Sequence, residues 1–471
     1  MDYPPDIFQR HKQVGDYLLY AALTGFVSII LYIAWNFAEG IIYFPIIILG
    51  LVAFAILFSN PRLNLIVVLL GFVSLTDYNK GFQIIEVIYG LYFVTYLAHW
   101  FLSRVFITRE PFVRTLTDRA VLLLLIAVTC YIPVAVIFNG NIYGIFAEWI
   151  AFVLLSFYFP IKEEIRNNPK GATIILCIIG FIGVYIAFRN LLNYRAMLSN
   201  ATQMWQVARG RIVTNDNLLM ISSLYGLILF TFAQKWRHQI ITLGAFILFF
   251  SGLILTQSRG YWLAFLLGAG FMFLFLDGSH KKRLIFVTLG GSLSLALLAF
   301  IFLQDIFLLI TSGLAERFLS LQTATTADIS LVNRFRETAT VWEHIRVNPI
   351  LGYGMGVGYD FFDITNGVTE TDAFVHNGYV SLWFKYGIIG LGLVLFFWFR
   401  SILNGVRAFR TKIASPAVRL VGLFGATTLT AFLLSTLTSS PFFLNDTLFA
   451  FGLLLGTAEG AYQRTLEQAP A

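Results

Sequence analysis

A histidine ahead of a long apolar run and a series of arginines between such runs are the residues of this chain best suited to chemistry. His376 stands in Phe374-Val375-His376-Asn377-Gly378-Tyr379. An imidazole changes charge near neutral pH and can take a proton from a hydroxyl, and a place at a helix end would hold it steady. The structural alternative is an interfacial histidine that only packs. Among the arginines, Arg259 is the sharpest candidate, because Gln257-Ser258-Arg259-Gly260 makes a minimal turn between two apolar runs. Its planar fork suits phosphate oxygens and keeps its charge at any relevant pH. Arg209-Gly210-Arg211, just ahead of Thr214-Asn215-Asp216-Asn217, offers further guanidinium groups. Arg211 and Arg259 together would clamp a pyrophosphate that one arginine neutralises poorly. Each arginine also suits snorkelling to lipid headgroups, and Asp216 or Asn217 also suits plain helix capping.

Secondary candidates are Arg209, Arg336, Asp372 and Lys385. Lys385 falls inside an apolar run, where an ionisable group marks function by default, although pairing with Glu86 or Glu148 would account for it equally. Asp372 is the next candidate base after His376. The glycine-dense run Asn348-Pro349-Ile350-Leu351-Gly352-Tyr353-Gly354-Met355-Gly356-Val357-Gly358 is not a dinucleotide fingerprint, because no strand precedes it and no helix opens at its last glycine. It reads as a tight turn. Cys130 and Cys177 lack metal-ligand spacing and read as small membrane-core residues. No metal site, disulfide or cofactor is implied.

The elements that must position these groups follow from composition. Of 471 residues, 58% are hydrophobic and 12% charged, which excludes an ordinary soluble enzyme. Apolar runs near bilayer length recur from Tyr17 to about Tyr462. The reading is an all-α polytopic membrane protein with about 12 to 14 transmembrane helices. The candidate spans are 17–35, 40–58, 63–79, 82–102, 120–138, 144–161, 172–188, 218–233, 240–257, 261–276, 284–303, 378–399, 418–439 and 442–462. The first is read as an uncleaved anchor. A net charge of +7 could suggest nucleic acid, but the basic residues lie strung between the runs rather than on one face. With the N-terminus in the cytoplasm, 21 of the 32 lysines and arginines fall inside, which sets the orientation.

Arg189, Arg195, Arg209, Arg211, Arg259, Arg317, Arg334, Arg336 and Arg346 then lie outside against the bias. Only His344 and His376 of the six histidines face outward. Two outer segments exceed mere connections, 189–217 and 305–377. In the larger, Phe335, Ala339, Trp342 and Ile345 recur at helical spacing with Arg336, Glu337, Glu343 and Arg346 on other faces. Asn333 would cap this helix and Pro349 follow it. Ile310, Leu314, Phe318 and Leu321 repeat the pattern. Both are expected to be amphipathic helices on the outer membrane surface, or simply packed on the bundle.

Thr256-Gln257-Ser258-Arg259-Gly260, then Asn348-Pro349-Ile350-Leu351-Gly352-Tyr353-Gly354, then His376-Asn377-Gly378-Tyr379 with Tyr386-Gly387-Ile388-Ile389-Gly390, resemble in order and spacing the O-antigen ligase and polymerase superfamily. The resemblance covers about residues 205–400. It divides the chain into N-terminal helices 1–204, a ligase-like catalytic region 205–400 including the outer loop 305–377, and C-terminal helices with a short tail, 401–471. It implies an inverting, metal-independent glycosyltransferase of the bacterial inner membrane that moves a glycan from a polyprenyl-pyrophosphate carrier to an acceptor hydroxyl on the periplasmic or exterior face. The implied partners are that donor, a glycan or glycolipid acceptor and membrane lipid, without nucleic acid. Arg211 and Arg259 match arginines thought to hold the donor pyrophosphate, and His376 matches the histidine thought to activate the acceptor. Alternatives are a polysaccharide polymerase or protein O-oligosaccharyltransferase of the same superfamily. A flippase or transporter of lipid-linked sugars is the rival from another class. Transport predicts repeats and mid-membrane ionisable groups, whereas most spans here lack charge and no repeat is visible.

Overall fold

The computed structural model describes residues 52–76, 84–199, 214–286, 329–364 and 367–468, with isolated positions outside them. The described residues are predominantly helical, as their apolar runs require. Inside a bilayer each N–H and C=O must find a partner in the protein, and a helix supplies one within a single segment. Among the described residues, six helices are long and apolar enough to cross a membrane, or up to seven if a bent pair counts as one span. Two shorter apolar helices, Asp216–Phe232 and Arg259–Phe275, accompany them. The protein is thus the all-α polytopic membrane protein that its composition led us to expect. The expected spans 17–35, 40–58 and 284–303, and the amphipathic helix through Ile310 and Leu321, lie wholly or largely outside the described residues.

Two compact units are present. The first comprises Met1–Leu75 and Asn79–Arg114. In it, helices Val52–Ser59 and Pro61–Gly71 meet at a 113° bend. Asn60 makes that bend, accepting Leu63 N on its side chain while Pro61 opens the next helix. The hydroxyl of Tyr89, on Ile84–Leu102, donates to Val68 O at 2.9 Å and ties the second helix to its neighbour.

The second unit, Thr76–Tyr78 and Thr115–Ala471, holds the candidate residues whose structure is described. Its elements used below are α1 (Ile142–Leu154), α2 (Gly171–Ser199), α3 (Asp216–Phe232), α4 (Trp236–Leu255), α5 (Arg259–Phe275), α6 (Ile329–Val347), β1 (Tyr359–Asp363), β2 (Val368–Asp372), α7 (Gly378–Arg410), α8 (Pro416–Thr438) and α9 (Asn445–Gln468). The buried Trp398 of α7 donates to Leu429 O of α8 at 2.9 Å and ties the two helices together. Side-chain contacts bring several helix ends together. The hydroxyl of Ser258, ahead of α5, donates to Asp216 at the start of α3, and Asn217 donates to Thr447 at the start of α9.

Residues 329–364 and 367–378 pack together at that end. β1 and β2 are antiparallel, Tyr359 facing Asp372 and Asp363 facing Val368. This hairpin was not foreseen, because a strand pair of this length carries too few alternations to stand out in sequence. Val341 and Ile345 of α6, Tyr359 and Phe361 of β1, and Val375 and Phe384 make its core. Glu337, Val341 and Ile345 are buried while Phe335 is 57% exposed, so of the expected stripe Phe335, Ala339, Trp342 and Ile345 only Ile345 lies on the buried face of α6. Asn333 does not cap α6, which begins at Ile329. It donates to Asp363 at 2.8 Å and accepts Ile364 N at 3.2 Å, tying the helix to the hairpin.

Candidate active site

The site is assembled from helix ends, because a helix end leaves backbone groups unpaired and side chains projecting. Asn377 caps α7, its side chain accepting Tyr379 N at 3.1 Å and Val380 N at 3.3 Å. Such a cap contributes about 1 kcal/mol, and it fixes the residue immediately before it. That residue is His376. Glu337 of α6 receives the backbone N–H of His376 on one carboxylate oxygen and faces Nδ1 with the other at 2.7 Å. Glu337 is buried at 4% exposure, whereas the imidazole is 40% exposed.

An ionised carboxylate can only accept, so this geometry keeps the proton on Nδ1 and leaves the Nε2 lone pair for an incoming proton. Tyr359 of β1 is a neighbour of Glu337. Burial, and then the negative charge of Glu337 and Asp372, push its phenol far above the ordinary tyrosine range. It therefore stays neutral and donates its one hydroxyl proton to Phe374 O at 2.8 Å.

Arg259 is the first residue of α5, and Ser258 is its N-cap. The turn reverses through Gln257 in a left-handed conformation, φ 52°. The Ser258 hydroxyl is pinned by Asp216, which thereby joins α3 to the arginine turn. The end of α8 links this turn to the histidine. A Cβ built on Gly260 would sit 2.3 Å from the Thr438 hydroxyl, Tyr261 donates to the Ser439 hydroxyl at 3.3 Å, and Gly378 N donates to Ser439 O at 3.2 Å. Arg334 of α6 donates to Thr438 O at 3.0 Å. Residues 438–439 are therefore a hub between the Arg259 turn, α6 and the start of α7.

The other sequence candidates divide clearly. Arg209 and Arg211 lie outside the described residues. Arg189 donates to Thr76 Oγ1 and O at 3.0 and 2.9 Å and to Asn215 Oδ1 at 2.6 Å, which stabilises the turn before α3. Arg336 is exposed on α6, and Arg346 pairs with Glu343 on the surface at 3.1 Å. Asp372 is exposed on β2 and accepts Phe374 N at 2.9 Å. His344 contacts Thr340 O at 3.0 Å and packs edge-on to Tyr353 and Phe384, a structural role. Lys385 is buried and bonded to Glu148 of α1, so of the two partners open to it in sequence it takes Glu148.

Two residues that bear on the site were not singled out in the sequence. Glu337 was placed on another face of an amphipathic helix, and Ser439 has no local pattern at all. A buried carboxylate on the packing face of α6 becomes visible only once that face is known.

A comparison with family descriptions matches residues 244–397 to O-antigen ligase. The segment contains Arg259, Glu337 and His376 and supports the O-antigen ligase superfamily, a group of membrane glycosyltransferases. No curated protein matches the chain.

Proposed function

With the O-antigen ligase segment at residues 244–397 as premise, we propose that this protein transfers a glycan from a polyprenyl-pyrophosphate carrier to an acceptor hydroxyl at the outer face of the bacterial inner membrane. The observation that carries the reading is the His376–Glu337 pair, a partly exposed imidazole backed by a buried carboxylate. Nε2 takes the acceptor proton as the acceptor oxygen attacks the anomeric carbon. The bond from that carbon to the pyrophosphate oxygen breaks on the opposite side, so the sugar inverts. Glu337 stabilises the imidazolium that forms. Arg259, with Arg211, meets the charge that grows on the departing pyrophosphate, and the hub at residues 438–439 supports the Arg259 turn and the histidine from one piece of backbone.

The reading is tested in proteoliposomes with a labelled glycan on polyprenyl pyrophosphate and a matching acceptor. Transfer with release of polyprenyl pyrophosphate, abolished by His376→Ala, is expected. Movement of the intact donor across the bilayer without cleavage would point to transport instead.

A further inference from the structure

The histidine rides on a short helical segment whose direction is set by a break. α7 leaves helical geometry at Gly387, with φ 64° and ψ −176°, so residues 378–386 form a separate segment. Only glycine enters this region freely. A Cβ there would stand 1.8 Å from Ile350 O. The broken backbone is paired elsewhere. Tyr353 N and Gly354 N donate to Phe384 O and Lys385 O at 2.9 Å each, and Ile388 N donates to Pro349 O at 2.9 Å. The Tyr131 hydroxyl reaches Tyr386 O at 3.2 Å. The glycine-dense turn is thus a backbone clamp on the break.

Besides the Tyr131 hydroxyl on Tyr386 O and the Tyr379 hydroxyl on Leu433 O of α8, an ion pair crosses from this break to the bundle. Lys385, 1% exposed, bonds Glu148 of α1, and its ammonium sits 4.7 Å from the centre of the Phe443 ring. The second oxygen of Glu148 and the hydroxyl of Tyr386 are both buried, with no hydrogen-bond partner among the described residues. An ion pair sequestered in this way is costly to desolvate and is a poor device for bulk stability. Its geometric consequence is specific, since it fixes the last turn of the segment that begins beside His376. From this we infer that Lys385 and Glu148 are positioning residues for the His376 general base, holding residues 378–386 at the angle that keeps the imidazole on Glu337. The inference rests on the proposed role of His376 and adds to it a distant anchor in the membrane-spanning bundle.

Four variants test it: Lys385→Met, the uncharged pair Lys385→Met with Glu148→Leu, the reversed pair Lys385→Glu with Glu148→Lys, and His376→Ala as reference. The uncharged pair leaves no lone buried charge, so it is expected to fold even if Lys385→Met does not accumulate. In the uncharged pair kcat should fall about 10- to 100-fold, while KM for the glycan donor and binding of unglycosylated polyprenyl pyrophosphate stay within about twofold of wild type. Amide hydrogen exchange over 378–390 should quicken about tenfold or more, with the rest of the bundle unchanged. The reversed pair should recover part of both losses. Wild-type kcat and exchange in the uncharged pair would overturn the inference, as would a loss carried wholly by KM. If His376→Ala instead kept normal activity, the reading of His376 as base would fail, and the exchange result would still show whether the pair holds the segment.

Discussion

Glu337 and His376, 39 residues apart in the chain, are joined through both oxygens of one carboxylate, one to the backbone N–H and one to Nδ1 of the same residue. This double attachment fixes where the imidazole stands and which way it turns. A carboxamide in place of the carboxylate would bring an NH2 group against one of two donors. Glu337→Gln is therefore expected to lower transfer by about 100-fold or more, within the range seen when a base loses its orienting carboxylate. Binding of the lipid pyrophosphate should persist. Initial rates in proteoliposomes, with thermal unfolding to verify folding, are the measurement, and unchanged rates would remove Glu337 from the mechanism.

Arg259 opens α5 on a turn held by Asp216 and the end of α8. Alanine there should abolish most transfer and weaken donor binding. Lysine should recover only part, because it keeps the charge and loses the planar fork. Titration of fluorescent polyprenyl pyrophosphate against the two variants reads this, and equal binding by Arg259→Ala and wild type would contradict it.

Much of this arrangement was legible in the sequence. Bilayer-length apolar runs gave the helical bundle, the Gln257–Gly260 turn was visible as punctuation between two runs, and His376 was visible as the residue ahead of a long helix. The packing face of α6 was not. The stripe of Phe335, Ala339, Trp342 and Ile345 has helical period, but beside a bilayer an apolar stripe is at home facing outward as well as inward. Of its four residues only Ile345 is buried, and the inward face carries it with Glu337 and Val341. The clamp of the glycine turn on the Gly387 break is made of backbone hydrogen bonds between distant segments, which leave no period to read.

The break itself gives a stability prediction. Gly387→Ala would place a Cβ against Ile350 O at a backbone angle that alanine rarely adopts. A cost of roughly 1–3 kcal/mol from the backbone angle alone, raised further by the clash, should appear as a lower melting temperature in detergent. Gly392→Ala, where a Cβ meets open space, is the control and should melt near wild type.

Orientation can be checked separately. Thr369 is exposed on β2 and Lys281 lies in the basic stretch after α5. In a background lacking Cys130 and Cys177, both exposed, Thr369→Cys should react with a membrane-impermeant maleimide added to intact spheroplasts, and Lys281→Cys should react only after lysis. Reaction of both from the cytoplasmic side alone would place the site on the wrong face for a donor presented outside.

The most direct test of the general-base assignment is the transfer rate of His376→Ala at saturating donor and acceptor, measured beside binding of unglycosylated polyprenyl pyrophosphate by the same preparation. The account predicts a fall of about 100-fold or more with binding retained, and little change in His344→Ala. A normal rate in His376→Ala, or a loss explained wholly by failure to bind the lipid pyrophosphate, would contradict it.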